Sequence, residues 1–323
     1  MDQTIRHIKD GQHLLIASHA EPDGDAVGCL IALGLALRKF GKKTTLYNAS
    51  PIPAVYRFLP GVEQIVRQIK ADNTYDTAIM LDCGDLVRVG QAAYKIGKIP
   101  AIINIDHHVS NTGFGHIQLI DTTACATAEI VYRLIKALEI PFDRAIATSL
   151  YTGILTDTGS FRFSNTNNAA FSISEEMTAI GVDPHSVAQH VFGSYSLGRI
   201  KLLNMALNSI EISDNGKLSM MTITRSMLNT TGTNTEDLDG MINYARRIED
   251  VKVAALIHEI KNGAGKFTNM NRYHVSLRSD SSVDVAKIAS KFGGGGHASA
   301  AGFQIESTLV ALKAKIITLA EDL

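Results

Sequence analysis

The chain has 323 residues, of which 45% are hydrophobic and 20% are charged, and its formal net charge at pH 7 is −1. This length and balance predict a globular protein of two domains, with enough apolar material for two cores. The near-neutral charge argues against binding of long nucleic-acid duplexes, which need a large basic surface, but it allows small or short anionic ligands.

The cysteines and the apolar runs indicate a cytoplasmic protein. Cys29, Cys83 and Cys125 are scattered and form no CxxC pair, which argues against a disulfide framework or a thiolate zinc site. The first twelve residues contain no apolar signal core, and no apolar run reaches the roughly 18 residues of a membrane-spanning helix. We therefore expect no membrane partner.

In the first part of the chain, predicted strands alternate with predicted helices. Apolar runs rich in β-branched residues predict strands, at 13–18, 44–47, 77–81, 101–105 and 116–120. Segments between and after these runs predict helices, at 26–40, 62–70, 87–96, 125–138, 144–155 and 169–180, with a further helix that starts at Pro184. The alternation predicts an α/β domain that has a mainly parallel sheet and helices on both faces.

Beyond residue 195 the pattern changes to that of a smaller α+β domain. Two hairpins are expected, one around a turn at 213–217 and one around a turn at 261–266. The other expected elements are the strands at 251–260 and 273–279 and the helices at 196–210, 236–248 and 283–292. We therefore divide the chain into an α/β domain at 1–195, a helical linker at 196–212 and an α+β domain at 213–323.

Acidic residues and histidines cluster directly after the predicted strands and at a helix end. The clusters are His19, Asp23 and Asp25; Asp82 and Asp85; Asp106, His107 and His108; Asp121; and Asp157. Because the carboxyl ends of parallel strands lie along one edge of a sheet, these side chains are expected to converge there. Several carboxylates that lie close together repel one another unless a cation lies between them.

Carboxylate and imidazole ligands without thiolate favour Mn²⁺, Mg²⁺ or Fe²⁺ over a structural zinc site. Ligands from so many segments suggest two ions, roughly 3.5–4 Å apart and bridged by a shared carboxylate, as in two-metal hydrolases of phosphoesters. The competing interpretation is that aspartates after turns are solvated caps. We favour that interpretation for Asp85 and Asp121.

A glycine-rich segment, GGGGHASAAG, is the second candidate for a functional site. Its interpretation as a flexible linker competes with that of a turn whose free N–H groups bind an anion. The tract adjoins an apolar helix and small residues, which favours the second interpretation. Arg278 and His297 would add side-chain donors to a phosphate. The glycines concerned are Gly293, Gly294, Gly295 and Gly296.

Five motifs together resemble the DHH phosphoesterase superfamily with its DHH-associated C-terminal domain. In chain order they are SHAEPDGDAVG (18–28), LDCGD (81–85), IDHHVSN (105–111), TDTGSF (156–161) and GGGGHASAAG (293–302). The chain length and the spacing of the aspartates are most similar to the nanoRNase/pAp-phosphatase type of this superfamily.

The resemblance implies two Mn²⁺ ions and a role for each motif residue. His19 and Asp23 would bind one ion, Asp25, His107 and Asp157 the other, and Asp82 would bridge them. His108 would contact the scissile phosphate, and Asp106 would orient an imidazole. Arg278, His297 and the turn of Gly293, Gly294, Gly295 and Gly296 would hold the terminal phosphate or nucleotide of the substrate.

The activity implied by the resemblance is hydrolysis of very short oligoribonucleotides to mononucleotides and of pAp (3'-phosphoadenosine 5'-phosphate) to AMP, by a cytoplasmic homodimer. The nearest alternative is a soluble phosphodiesterase of cyclic di-AMP or of its linear dinucleotide. A non-catalytic nucleotide sensor ranks lower because no motif residue is missing. Polyphosphatase and RecJ-type exonuclease activities also rank lower.

Overall fold

The computed structural model describes residues 1–69, 75–193, 195–260, 270–280 and 282–319, without the side chain of His297. The chain divides into two compact units, a first unit at Met1–Ser194 and a second unit at Tyr195–Leu323. Among the described residues, no helix combines the length and the apolar composition needed to cross a membrane.

The first unit is built on a parallel sheet of six strands. They are β1 (His13–Ser18), β2 (Lys43–Tyr47), β3 (Ile65–Val66), β4 (Thr77–Leu81), β5 (Ala101–Asp106) and β6 (Ile117–Ile120). Their spatial order is β3-β2-β1-β4-β5-β6, and every adjacent pair is parallel. The order changes direction between β1 and β4, and open α/β sheets bind ligands beyond the carboxyl ends of the strands at such a point.

The three central strands end at the same level. Ser18 of β1 lies opposite Leu81 of β4, and Leu81 lies opposite Ile105 of β5. The residues that follow these three positions therefore emerge side by side at the carboxyl edge of the sheet.

Helices cover both faces of this sheet. They are α1 (Asp2–Asp10), α2 (Gly24–Lys39), α3 (Ala93–Ile96), α4 (Thr127–Ala137), α5 (Arg144–Asp157), α6 (Asn168–Ala179) and α7 (Pro184–Phe192). Leu14 and Ile16 face the core that contains α2, α4 and α5. Leu15 and Ala17, which point the opposite way along β1, face a smaller core that contains α3.

Two of the helices predicted in the first unit are wrong. Instead of a helix at 62–70, the structure has a 3₁₀ turn at Val62–Gln64 followed by β3, and residue 70 lies outside the described part. The helix predicted at 87–96 is split into a 3₁₀ turn at Leu86–Val89 and the short α3. The sequence also fails to predict α1.

The second unit is built on a mixed sheet of six strands in the order β11-β12-β10-β9-β8-β7. These are β7 (Glu211–Ile212), β8 (Leu218–Ile223), β9 (Val253–Ile260), β10 (Asn271–Ser279), β11 (Gly295–His297) and β12 (Ala300–Ser307). Its helices are α8 (Leu197–Asn208), α9 (Arg225–Thr231), α10 (Ile242–Arg246), α11 (Val285–Ser290) and α12 (Leu309–Thr318). One face packs on α11 and α12, and the other on α8, α9 and α10.

The predicted fold class is confirmed: an α/β unit with a parallel sheet precedes a smaller α+β unit. The hairpin predicted around 213–217 is present as β7 and β8. The strands of the second hairpin, β9 and β10, pair in an antiparallel manner, while the turn predicted at 261–266 lies outside the described residues. The helix predicted at 236–248 is a 3₁₀ turn at Thr235–Leu238 followed by α10.

Helices α2 and α5 are in direct backbone contact at Gly28. A Cβ atom at this position would lie 2.4 Å from the carbonyl oxygen of Ser149 and 3.2 Å from the backbone nitrogen of Gly153. Only a residue without a side chain allows so close an approach of two helices. The contact matters because Asp25 lies near the start of α2 and Asp157 is the last residue of α5.

The variant Gly28→Ala should therefore lower the free energy of unfolding, by about 1–3 kcal/mol, because the new methyl group would force the two helix backbones apart. Gly34→Ala on the same helix is the matched control. Its Cβ would meet the side chain of Leu46, at 2.5 Å from one methyl group, and its nearest neighbours are all atoms of that side chain. A side chain adjusts at lower cost than two packed helix backbones. Both substitutions gain about 1 kcal/mol in helix propensity, so the difference between the two variants isolates the effect of the contact. Urea unfolding gives the free energy of unfolding of both variants. Equal losses of stability in the two variants would contradict the special role of the α2–α5 contact.

Candidate metal centre

Seven side chains that could ligate a metal converge at the carboxyl edge of the parallel sheet. They form three groups, each with its ligand atoms within 4.8 Å of one another: Asp82, His107 and His108; His19, Asp23 and Asp82; and Asp25, His107 and Asp157. Asp82 and His107 each belong to two groups. The seven residues therefore form one continuous cluster.

Each part of the cluster is placed by the end of an element. His19 follows β1, Asp82 follows β4, and His107 and His108 follow β5. Asp23 is the N-cap of α2: its Oδ1 accepts a hydrogen bond from the N–H of Ala26 at 3.0 Å. Its Oδ2 lies 3.9 Å from Nε2 of His19. Asp23 is thus both a helix cap and a potential ligand.

Backbone carbonyls orient two of the imidazole rings. Nδ1 of His19 lies 2.8 Å from the carbonyl oxygen of Ala20, and Nδ1 of His107 lies 3.3 Å from that of Ala124. Since a carbonyl can only accept, Nδ1 carries the proton in both rings. Both rings then present Nε2 to the carboxylates, which is how histidine ligands of metals are usually fixed.

The distances between these groups fit a cation placed among them. Nε2 of His19 lies 3.5 Å from Oδ2 of Asp82, and Nε2 of His107 lies 3.5 Å from Oδ2 of Asp157 and 3.9 Å from Oδ1 of Asp82. These separations are too long for good hydrogen bonds. Two ligands that share one cation at about 2.1 Å lie roughly 3–4 Å apart, which matches.

Histidines keep Asp82 charged although it is buried. Burial alone would raise the pKa of this carboxyl, but His19, His108 and His107 hold the pKa well below its usual range. Burial likewise works to lower the pKa values of the histidines, yet the nearby, negatively charged carboxylate of Asp82 raises the pKa of His19 to about 9. The charges of Asp25, Asp157 and Asp82 raise the pKa of His107 to about 9.

The remaining carboxyl groups of the cluster repel one another. Burial and the charges of Asp82 and Asp157 raise the pKa of Asp25 well above its ordinary value. Burial also raises the pKa of Asp157, to about 7, although the charge of His107 opposes this. A divalent cation would offset this repulsion, so the donor set and its electrostatics both fit a metal.

His108 is held by a buried carboxylate behind it. Its Nδ1 donates to Oδ1 of Asp106 at 2.6 Å, and Oδ2 of Asp106 accepts from the side-chain amide of Asn111, also at 2.6 Å. Burial would lower the pKa of His108, but the hydrogen bond to Asp106 and the charge of Asp82 give a net rise. The same Nδ1 lies 3.6 Å from Oδ1 of Asp82. Asp106 thus lies behind a ring and belongs to none of the three ligand groups.

Two of the predicted acidic residues have other partners in the described structure. Oδ1 of Asp85 accepts from the N–H of Val87 and caps a 3₁₀ turn. Asp121 accepts from Thr123 and from Arg133. Neither aspartate belongs to a ligand group among the described residues, and the cap interpretation fits Asp85.

The glycine tract of the second unit forms a helix end and a short edge strand. The N–H of Gly293 donates to the carbonyl of Ser290, and the N–H of Gly294 to that of Ala289, so these two groups terminate α11. Gly295 and Gly296 belong to β11, where they pair with β12. The free N–H groups expected in this turn are therefore not found at Gly293 and Gly294, whose N–H groups bind these carbonyls.

The two predicted donors of the second unit occupy related positions in its sheet. Arg278 of β10 and the backbone of His297 of β11 both lie opposite Ala300 of β12. The strands β10 and β11 flank β12, so the two backbone positions are separated by about 10 Å. The side chain of His297 lies outside what the structure describes.

Three polar residues that support the cluster are not predicted from the sequence. Asn111 holds Asp106, Asn165 donates to Oδ2 of Asp157 at 3.1 Å, and Thr127 donates to Asp82. Asn111 lies inside the motif IDHHVSN, which is the one local signal that could have indicated it. The other two are recognisable only from their contacts in the folded chain.

Comparison with known proteins assigns both units to families. Residues 13–154 match the DHH family, N-terminal domain, and residues 219–322 match the DHHA1 domain. A protein of Thermus thermophilus named bifunctional oligoribonuclease and PAP phosphatase NrnA is 33% identical over 293 residues, which cover 90% of this chain and 83% of that protein. A protein of Bacillus subtilis with the same name is 24% identical, over 94% of this chain and 93% of that protein.

A solved structure shows the same fold. An exopolyphosphatase-related protein from Bacteroides fragilis superposes with a TM-score of 0.89 at 23% identity, over 98% of this chain and 95% of that chain. Three findings indicate the same family: the sequence motifs, the two matched domains and the relative from Thermus thermophilus. The chain therefore belongs to the DHH family and combines its N-terminal domain with a DHHA1 domain.

Proposed function

We propose that this protein is a metal-dependent phosphohydrolase that degrades very short oligoribonucleotides to mononucleotides and dephosphorylates pAp to AMP. The observation that carries the proposal is the continuous cluster of three ligand groups, linked through Asp82 and His107, at the carboxyl edge of the sheet. The names of the relatives from Thermus thermophilus and Bacillus subtilis state both activities for those proteins, which supports the choice of substrates.

The ligands divide into two sets around Asp82. His19 and Asp23 would hold one divalent ion, Asp25, His107 and Asp157 would hold the second, and Asp82 would contribute to both. Mn²⁺ suits this mixture of carboxylate and imidazole, and Mg²⁺ and Fe²⁺ are the alternatives. Ions bound there would supply stabilisation of charge on phosphoryl oxygens and a water-derived nucleophile at neutral pH.

The protein's own groups then bind and orient the substrate. His108, held through Nδ1 by Asp106, would contact the scissile phosphate and stabilise its charge in the transition state. In the second unit, Arg278, His297 and the segment Gly293–Gly296 would bind the terminal phosphate or nucleotide. The common register of Arg278 and His297 at Ala300 supports this assignment.

A substrate panel with Mn²⁺ tests the proposal. We expect hydrolysis of pAp and of di- to pentaribonucleotides, loss of both activities when the metal is chelated, and recovery when Mn²⁺ is added back. Cyclic di-AMP, polyphosphate and long single-stranded DNA complete the panel. Turnover confined to cyclic di-AMP or polyphosphate would contradict the proposed substrates, and binding of pAp without hydrolysis would indicate a sensor.

The variant Asp82→Asn should abolish activity and reduce the bound metal. The amide keeps the size of the side chain and tolerates the left-handed backbone of residue 82 (φ 54°), but it removes the shared charge. We expect a loss larger than the roughly 10- to 100-fold that follows removal of a residue that only supports a ligand. Asp85→Asn, in the same motif, is the control and should retain activity. Metal content by elemental analysis and kcat/KM for pAp decide the outcome, and an active, metal-loaded Asp82→Asn would refute the bridging role.

The variant His108→Ala separates a catalytic contact from a metal ligand. His108 belongs to one ligand group with Asp82 and His107. Its position therefore allows it either to ligate a metal ion or to contact the phosphate. If it contacts the phosphate, kcat should fall by roughly 10²- to 10³-fold while the metal content stays at the wild-type level. Loss of a bound ion in this variant would instead make His108 a ligand.

A further inference from the structure

Thr127, the first residue of α4, contacts two of the clustered carboxylates. Its hydroxyl donates to Oδ1 of Asp82 at 3.0 Å, and its backbone N–H donates to Oδ2 of Asp25 at 2.6 Å. The next N–H, of Ala128, donates to Oδ1 of Asp25 at 2.9 Å. Thr127 is completely buried, so water does not compete for these hydrogen bonds.

We propose that Thr127 is a positioning residue that fixes the orientation of the Asp82 carboxylate and so sets the affinity of the centre for its metal ions. The inference rests on the proposed function, because it takes Asp82 and Asp25 as ligands. It goes beyond that function because it assigns a role to a residue that is not among the proposed ligands of either ion.

The hydroxyl of Thr127 fixes the plane of a carboxylate that could otherwise rotate. The imidazole nitrogens nearest to Asp82 lie at 3.5–3.9 Å, whereas the hydroxyl lies at 3.0 Å. With Oδ1 held on the side of Thr127, Oδ2 is directed towards His19. Each carboxylate oxygen has two lone pairs, so Oδ1 still has one with which to bind a cation.

The N-terminus of α4 restrains Asp25 in the same way. Asp25 accepts the N–H groups of Thr127 and Ala128 and the S–H of Cys29, whose sulfur lies 3.3 Å from Oδ1. A carboxylate has about four lone-pair sites, so three donors leave one direction for a cation. The partial positive charge at the start of the helix also favours the ionised carboxylate.

The segment before α4 is itself held in place. Oε2 of the buried Glu129 accepts from the N–H of Cys125 at 2.9 Å and from the side-chain amide of Asn167 at 3.0 Å. The carbonyl of Cys125 accepts from Asn165 at 2.8 Å. These contacts tie residues 125–129 to the segment that follows α5. These hydrogen bonds therefore fix the position of Thr127.

The test uses variants that change the hydroxyl and little else. Thr127→Val replaces the hydroxyl by a methyl group of similar size and keeps the backbone N–H that binds Asp25, while Thr127→Ser keeps the hydroxyl. Mn²⁺ binding to the metal-free, full-length protein is measured by titration calorimetry, and thermal unfolding is followed in parallel. We expect Thr127→Val to weaken Mn²⁺ binding by about 10- to 100-fold, and Thr127→Ser to remain within about threefold of the wild type. Thr127→Ala repeats the measurement if the valine variant does not fold.

Thr152→Val is the matched control for a general loosening of the core. Thr152 is also buried, and its hydroxyl donates to the carbonyl of Thr148 within α5. The Thr152→Val variant should bind Mn²⁺ with the same affinity as the wild type. Equal losses in Thr152→Val and Thr127→Val, or a loss in Thr127→Ser as large as that in Thr127→Val, would overturn the role of the hydroxyl.

The outcomes also separate this inference from the proposed function. A wild-type protein that binds Mn²⁺ and hydrolyses pAp, together with a Thr127→Val variant of unchanged affinity, would refute the inference alone. A wild-type protein that binds no Mn²⁺ and hydrolyses none of the proposed substrates would refute both.

Discussion

The structure depends most on the ionised carboxylate of Asp82, which is buried among other acids. Burial of an isolated charge costs several kcal/mol unless close partners compensate for it. Three histidine rings and the hydroxyl of Thr127 surround this carboxylate. The rings are oriented in turn, by the carbonyls of Ala20 and Ala124 and, for His108, by the carboxylate of Asp106. Each of the three rings around Asp82 is thus held by a second group, as is usual for histidines that ligate metals.

This requirement explains features of the fold that packing alone does not. Asp82 follows β4 and its histidine partners follow β1 and β5. The parallel register of these three strands brings their ends to one level. The acids from α2 and α5 must also reach the cluster. At Gly28 the two helices touch through their backbones, and a Cβ on Gly153 would lie only 2.8 Å from Oδ1 of Asp25. Small residues at these positions therefore let the carboxylate of Asp25 lie directly against α5.

The sequence predicts the parts of this arrangement that local patterns determine. Buried parallel strands appear as continuous apolar runs, so β1, β4 and β5 are predicted nearly to their ends, and the ligands are the polar residues that directly follow them. The sequence predicts helices where the structure has short 3₁₀ turns, at Val62–Gln64 and Leu86–Val89. A single apolar turn is too short to distinguish the period of about 3.0 residues of a 3₁₀ helix from the period of about 3.6 residues of an α-helix. Thr127 lies 45 residues from Asp82 and 102 from Asp25. No local pattern encodes contacts over such separations, so a threonine at the start of a helix indicates only a helix terminus.

The glycine tract has a structural role that can be separated from the substrate contact proposed for it. A Cβ on Gly294 would lie 2.2 Å from the carbonyl oxygen of Gly302, and one on Gly296 would lie 2.5 Å from that of Ala300. Gly294 is required by the close approach of the chain to β12 just before β11, and Gly296 by the pairing of β11 with β12. Gly293 has a left-handed backbone (φ 73°) at the end of α11. A Cβ on Gly295 would meet nothing within 4 Å. Backbone geometry therefore accounts for three of the four glycines, and the case for a substrate contact within the tract is strongest at Gly295. A side chain at Gly295 would leave the strand pairing intact and would obstruct only a ligand that approaches the tract from solvent. A substitution at this glycine therefore separates substrate binding from folding.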